Sequence, residues 1–281
     1  MKELKIGQRK FPLGEHTYIM GILNMTPDSF SDGGKYSTLE RALLHAEQMI
    51  KEGVDVIDIG GESTRPGHIQ ISVEEEIERI TPVIERMKQD YEIPISVDTY
   101  RHETAKAALR AGADLINDIW GFGYDKEIAG ITAEYQAACC LMHNRTNSDY
   151  QNMFENIRTD LKKSVALARQ AGIPDNQIIL DPGVGFAKDA GQNMQVLAGL
   201  CEFTTLGYPL LLGASKKSVI ASIYKEPFPV ELRAEGTYVT TMLAVMNHYA
   251  FVRVHDVAQN KRIIEMTEAV RSERERIYES V

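Results

Sequence analysis

Short apolar runs rich in β-branched residues recur along the chain, and most of them end on a polar side chain rather than on a turn former alone. They are Tyr18 to Leu23, Val54 to Ile59, Ile95 to Val97, Leu115 to Ile116, Ala138 to Met142, Ile178 to Leu180, Pro209 to Leu212 and Phe251 to Val254. Their apolar residues run on without clean alternation, which predicts strands buried on both faces, as in a parallel sheet. Between the runs the period becomes helical. Leu39, Leu43, Ala46 and Ile50 share one face, as do Ile77, Ile80, Ile84 and Met87. Ser37 with Glu40 and Ser72 with Glu75 have the capping-box spacing that satisfies free amides at a helix start. Further helices are expected at His102 to Ala111, Lys126 to Tyr135, Ile157 to Ala171, Ala190 to Phe203, Val230 to Met246 and Gln259 to Arg276. Lys5 to Leu13 reads as a small hairpin or cap.

Eight strand-helix alternations predict an α/β fold, a (β/α)8 TIM barrel. No linker or low-complexity tract divides the 281 residues, so the expectation is a single domain over 1–281 with its barrel core from about 17 to about 278. An open doubly wound sheet would favour a dinucleotide fingerprint, but Gly121-Phe-Gly123 and Gly183-Val-Gly185 both lack the third glycine.

An apolar share of 43% and a charged share of 25% exclude disorder and fibre. The net charge of -9 argues against a nucleic-acid or membrane surface but leaves room for a local anion pocket. The apolar runs fall far short of the ~20 residues that span a bilayer. The polar opening, Met1 to Lys10, has no export signal, so a cytoplasmic location is expected. Cys139, Cys140 and Cys201 are expected to be buried, reduced thiols.

Parallel strands gather their carboxyl ends on one rim. The residues brought there would be Asn24, Glu62, Asp98, Asn117, His143, Asp181, Gly213 with Ser215 and Lys217, and Arg253 with His255. Asp181 precedes Pro182 and two glycines; its carboxylate suits a ligand edge with two adjacent N–H donors, as in a pteridine, or else makes an Asx-turn. Asn24 opens a polar loop longer than a barrel connection needs. It could meet a Mg²⁺ that takes most of its ligands from substrate phosphates, or could simply pair with backbone. Arg65 lies between Gly60-Gly61 and Gly67, within reach of a phosphate. Arg253 and His255 share a face by strand alternation and would clamp an anion, the alternative for Arg253 being a solvated salt bridge. Lys217 begins a helix, where backbone amides favour anions; alone it would equally suit a Schiff-base nucleophile or a surface cation.

Taken together, Gly21 to Gly34, Gly61 to Gly67, Asp98-Thr-Tyr100, Asn117 to Gly121, Asp181 to Phe186 and Arg253-Val-His255 closely resemble the motifs of dihydropteroate synthases, in the same order from Tyr18 to Val257. The resemblance implies a homodimeric barrel that joins p-aminobenzoate to 6-hydroxymethyl-7,8-dihydropterin diphosphate on the folate route, with sulfonamides as competitors. It implies that Asp98, Asn117, Asp181 and Lys217 hold the pterin, with Ile119, Met142, Phe186 and Gly213 lining its pocket. Asn24 would meet Mg²⁺. Arg65, Arg253, Val254 and His255 would contact the diphosphate, Thr64, Pro66, Phe186 and Ser218 would shape the aminobenzoate site, and Asp32 would help close the first loop. The family usually carries arginine where Lys216 stands and commonly an aromatic where Val219 stands. Lysine keeps the charge without the bidentate fork, so loop anchoring or aminobenzoate affinity could differ. Two rivals remain. A corrinoid-dependent methyltetrahydrofolate methyltransferase would share the pterin pocket but gives no reason for Arg65 and Arg253-Val-His255, and a catalytically weak pterin-binding paralogue would have Lys216 as its support.

Overall fold

The computed structural model describes residues 1–25, 38–62 and 70–279. The chain opens with an antiparallel hairpin, β1 (Glu3–Ile6) and β2 (Arg9–Pro12), turned at Gly7 in the left-handed region. Strands and helices then alternate: β3 (Tyr18–Asn24), α1 (Thr38–Glu52), β4 (Val56–Gly60), α2 (Val73–Asp90), β5 (Ile95–Asp98), α3 (His102–Ala111), β6 (Leu115–Asp118), α4 (Ile128–Glu134), β7 (Ala138–Met142), α5 (Met153–Ala171) and β8 (Ile178–Asp181). The last part holds α6 (Ala190–Ala198), α7 (Cys201–Thr204), β9 (Leu211–Leu212), α8 (Ser218–Ala221), α9 (Ala234–Met246), β10 (Phe251–Val254) and α10 (Val257–Glu279).

All eight strands from β3 to β10 are parallel, in the spatial order β8-β7-β6-β5-β4-β3-β10-β9. A bridge between Leu180 and Leu210, with Leu180 N donating to Pro209 O at 3.0 Å, joins the two ends. The sheet thereby closes into the expected (β/α)8 TIM barrel. Alternation sends Ile57, Ile59, Ile95, Val97, Ile116, Leu180 and Val252 outward against the helices. It sends Tyr18, Met20, Val56, Leu115, Cys140, Ile179, Leu211 and Phe251 inward, where they meet Leu4, Ile6 and Phe11 of the hairpin. The predicted cap is therefore a plug in the amino-terminal end of the barrel, and the carboxyl-terminal end is left for chemistry.

Several boundaries differ from the sequence expectation for identifiable reasons. The helix expected over Ala190 to Phe203 is two helices, parted at Gly199, where the Phe154 ring packs so close that a β-carbon would collide with it. The reciprocal capping box lies at Asp189 and Gln192. Ser72 does cap α2 by accepting from Glu75 N at 3.1 Å, but Glu75 itself pairs with Arg79. Ser37 lies outside the described residues. The helix α5 starts at Met153, capped by Asn152, and α9 starts at Ala234 after a separate 3-10 turn at Val230–Leu232. Cys139 and Cys140 are buried as expected, whereas Cys201, at the start of α7, is exposed. Among the described residues, no helix is long and apolar enough to cross a membrane.

Candidate active site

The strand register places Asp58 beside Ser96 on β4 and β5, Gly60 beside Asp98, and Asp98 beside Asn117 on β6. All of these face inward. Across the barrel, Arg253 on β10 reaches both carboxylates. Its Nε donates to Asp58 Oδ2 at 2.5 Å and its Nη2 to Asp98 Oδ2 at 2.8 Å. Asp58 also accepts from Ser96 Oγ at 2.5 Å and from Asn117 Nδ2 at 3.4 Å, and it is fully buried. Burial pushes the Asp98 carboxyl up to about 7, against the pull of Arg253 and with the help of the Asp58 charge. The Arg253 guanidinium loses by burial but is held above its ordinary value by Asp58 and Asp98. The second Asp98 oxygen, Oδ1, is buried and has no hydrogen-bond partner among the described residues.

Asp181 ends β8 on the opposite side. Its Oδ1 accepts from Gly183 N at 2.7 Å, so it makes the Asx-turn and still points into the barrel. Burial raises its pKa, while Lys217 and the Gly183 amide work the other way. Gly213 stands in front of it: a β-carbon there would lie 3.3 Å from Asp181 Oδ2, so glycine keeps the space over the carboxylate open. Lys217, at the cap of α8, donates to Val184 O at 2.6 Å and sits 4.6 Å from the centre of the Phe186 ring. Burial lowers its pKa to about 8, partly offset by Asp181. Tyr100, Ile119 and Met142 form a small apolar cluster flanked by Trp120 and Phe186. The mouth thus combines carboxylates, an amide, a lysine and a flat apolar wall, the features of a site for a planar heterocycle rich in N–H groups.

Asn24 ends β3 in register with Gly60 and is partly buried. His255 Nδ1 and Ser215 Oγ share a hydrogen bond of 2.9 Å. Ser218 begins α8 and is exposed. The Val254 side chain points into the outer helical layer, which leaves only its backbone at the rim. Asp32, Thr64, Arg65 and Pro66 lie outside the described residues. Arg253 differs from the solvated alternative. It is not a solvated salt bridge: it neutralises two buried carboxylates, and its five N–H donors exceed what these contacts use, which leaves some for an anion. Lys216 carries a positive φ of 56° and pairs with Asp256 at 3.0 Å.

Asp58 was missed by sequence reasoning. A carboxylate inside the apolar run Val56-Ile-Asp-Ile59 requires a buried partner, and that requirement was the available signal. Glu62 and His143, the rim residues without a role in the resemblance, are both paired. Glu62 accepts from Arg101 Nη2 at 2.8 Å, Tyr100 OH at 2.9 Å and Ile71 N at 3.1 Å, which anchors the chain entering α2. His143 Nδ1 lies 3.1 Å from Lys188 Nζ.

Comparison with known proteins agrees with this geometry. A family model described as pterin binding enzyme matches residues 20–255. The dihydropteroate synthase of Clostridium beijerinckii is 51% identical over 268 residues, covering 95% of this chain and 99% of that protein. A crystal structure of the dihydropteroate synthase of Clostridium difficile, determined in the presence of pteroic acid, superposes with a TM-score of 0.88 at 46% identity, covering 92% of this chain and 98% of that one. The Xanthomonas albilineans enzyme with 4-aminobenzoic acid gives 0.90 at 37% identity, covering 96% and 98%. With its strand-end motifs now assembled at one barrel mouth, the chain belongs to the dihydropteroate synthase family.

Proposed function

We infer that the chain condenses p-aminobenzoate with 6-hydroxymethyl-7,8-dihydropterin diphosphate to give 7,8-dihydropteroate and pyrophosphate. The observation that carries this is the buried Asp98 Oδ1, which has no hydrogen-bond partner among the described residues and stands beside Asn117 at the mouth that Asp181 also enters. A buried acceptor without a donor is costly unless a ligand supplies one, and pterin N–H groups do so. Asp181 takes the adjacent ring and amino N–H groups in a bidentate pair. Asn117, held by Asp58, offers the remaining amide complement. Ile119, Met142 and Phe186 cover the ring faces, and Gly213 leaves room for the edge.

In the reaction the bond between the pterin methylene and the diphosphate oxygen breaks first, and its electron pair leaves with pyrophosphate. The methylene cation is delocalised over the dihydropterin. The aniline nitrogen, a weak nucleophile, then forms the C–N bond and gives up its surplus proton to solvent or to the departing pyrophosphate. Asp98 and Asp181 oppose the developing positive charge, while Arg65, Arg253 and His255 receive the negative charge of the leaving group. Lys217 keeps to Val184 O and Asp181 and forms no covalent bond. Thr64, Pro66, Phe186 and Ser218 shape the aminobenzoate site, where sulfonamides compete, and Asp32 helps close the first loop.

Mg²⁺ belongs to this reading as a metal carried by the diphosphate. Asn24 fits it as a single neutral ligand at the rim, with phosphate oxygens and water completing the shell. When bound, the ion would offset charge on the leaving group. Among the described residues, the one three-residue group with metal-ligand spacing, His102, Glu103 and Asp125, lies at the start of α3, where Asp125 instead accepts from His102 N at 2.9 Å. A homodimer is supported by α9 and α10, which pack on each other and expose Val239, Met242, Met266 and Val270. A cytoplasmic setting goes with the reduced state of Cys139 and Cys140.

The test is incubation with the pterin diphosphate, p-aminobenzoate and Mg²⁺, following pyrophosphate and dihydropteroate together. Equal amounts of both are expected; pterin binding without product would overturn the assignment in favour of a non-catalytic paralogue.

A further inference from the structure

The loop from Pro182 to Ala187 carries two of the groups that meet the pterin site, Phe186 and the Val184 carbonyl that holds Lys217. Its backbone is unusual. Gly183 and Gly185 have φ values of 72° and 89°, which glycine adopts freely, whereas Ala187 at 47° is a non-glycine residue in a conformation that needs support from its surroundings. That support comes from side chains. Tyr150 OH donates to Ala187 O at 2.9 Å, and Gly185 N donates to Asn193 Oδ1 at 2.6 Å. Lys188 Nζ turns back under the loop and donates to Gly183 O at 2.9 Å and to Phe186 O at 3.0 Å, with its third contact to His143 Nδ1 at 3.1 Å.

We propose that Lys188, with His143 as its acceptor, is a positioning residue for the pterin site, holding the Pro182 to Ala187 loop in the form that seats Phe186 against Lys217. As an ammonium Lys188 has three donors and no acceptor, and in that state His143 Nδ1 accepts. The imidazole is then neutral with its proton on Nε2, which is buried, lies 3.5 Å from Asp160 Oδ2 and makes no hydrogen bond among the described residues. Burial, followed by the Lys188 charge, drives the His143 pKa down to about 3 and keeps this tautomer uncharged. Burial also lowers Lys188 to about 7; of the charged groups around it, Asp181 favours its ammonium while Lys217 and Arg145 oppose it. Neither residue is among the groups assigned to the pterin. If the loop without Lys188 spends one to ten per cent of its time in the competent form, apparent pterin affinity falls by about ten- to a hundredfold, because binding must repopulate that form. The saturated complex has already done so, so kcat changes little.

This inference rests on the dihydropteroate synthase reading, and its experiment separates the two. Pterin diphosphate binding by calorimetry, steady-state kinetics and amide hydrogen exchange would be measured on the full chain and on Lys188→Met, His143→Asn and His143→Leu. In Lys188→Met the pterin KM should rise about ten- to a hundredfold with kcat within about threefold, and the Gly185 and Phe186 amides should exchange faster while the barrel strands do not. His143→Asn keeps an acceptor near Nδ1 and should stay close to wild type; His143→Leu should follow Lys188→Met. Unchanged pterin KM and unchanged loop exchange in a folded Lys188→Met would overturn the proposal. If that variant fails to fold, equal behaviour of His143→Asn and His143→Leu would overturn it. A wild-type chain that binds no pterin diphosphate, with loop exchange still dependent on Lys188, would sink the functional reading and leave the loop assignment standing.

Discussion

Replacing Asp58 with asparagine removes one charge from the buried floor while keeping its shape. Asp58 and Asp98 lie on adjacent strands and share the Arg253 guanidinium, each taking one N–H. The Asp58 charge is one of the causes that raise Asp98 to about 7, after burial and against Arg253. Two unit charges roughly 6 Å apart interact by about 3 kcal/mol at an effective dielectric of about 20. Since one pKa unit corresponds to about 1.4 kcal/mol, the ceiling on the change at Asp98 is about two units. Local relaxation should bring it nearer one. The sign is fixed: without Asp58 the Asp98 carboxylate loses a like-charged neighbour and keeps all of Arg253, so it ionises at lower pH. If the ionised Asp98 receives the pterin, the acid limb of kcat/KM in wild type should lie near 7 and move down by about one unit in Asp58→Asn. Arg253 loses a charged partner in the same variant, which should destabilise the fold by about 3 kcal/mol, the lower end for a broken buried pair, because Asp98 remains. The assay is a pH profile of initial rates from pH 5 to pH 9, with thermal melts of the same samples. An acid limb that stays in place or moves upward would refute the coupling.

Asp181→Ala deletes both acceptors for the adjacent pterin N–H groups; kcat/KM should fall by at least about a hundredfold, from two charge-assisted hydrogen bonds, and full turnover by the variant would contradict the assignment. Gly213→Ala puts a methyl group 3.3 Å from Asp181 Oδ2 without backbone strain, so melts should barely change while the pterin KM rises; an unchanged KM would mean the pterin edge lies elsewhere. Asp98 and Asp118 are both raised by burial from 3.8 to about 7, the Asp118 shift being opposed by the amides of Trp120 and Phe122. The folded state therefore holds protons that the unfolded chain has released between about pH 4 and pH 7, so their contribution to stability is full at the acid end and is lost as pH rises through 7. In melts between pH 5 and pH 8, Asp118→Asn should lessen this decline, and an identical slope would count against the assigned shift.

Much of this was legible from the sequence because it rests on local pattern. Strands such as Ala138–Met142 and Phe251–Val254 and the helix His102–Ala111 were read to the residue, since two-sided burial and the 3.6 period leave direct traces. The strand-end residues could be gathered on one rim because parallel order dictates it. What sequence could not show was pairing across the barrel. Arg253 and Asp58 are separated by 195 positions, and nothing near either names the other. Likewise the close packing of the Phe154 ring on Gly199, at the point where the expected helix parts, joins segments far apart in the chain. His143 could be placed on the rim but given no role, because its partner, Lys188, belongs to another strand's loop.

The central claim is that this barrel mouth makes dihydropteroate, and that its unpaired Asp98 oxygen is filled by the pterin. The most direct measurement is mass-resolved product from purified wild type and Asp98→Ala under saturating p-aminobenzoate and Mg²⁺. One dihydropteroate per pyrophosphate is predicted for wild type, with product formation in the variant reduced to background. Equal product from the two chains, or pyrophosphate without dihydropteroate from wild type, would contradict it.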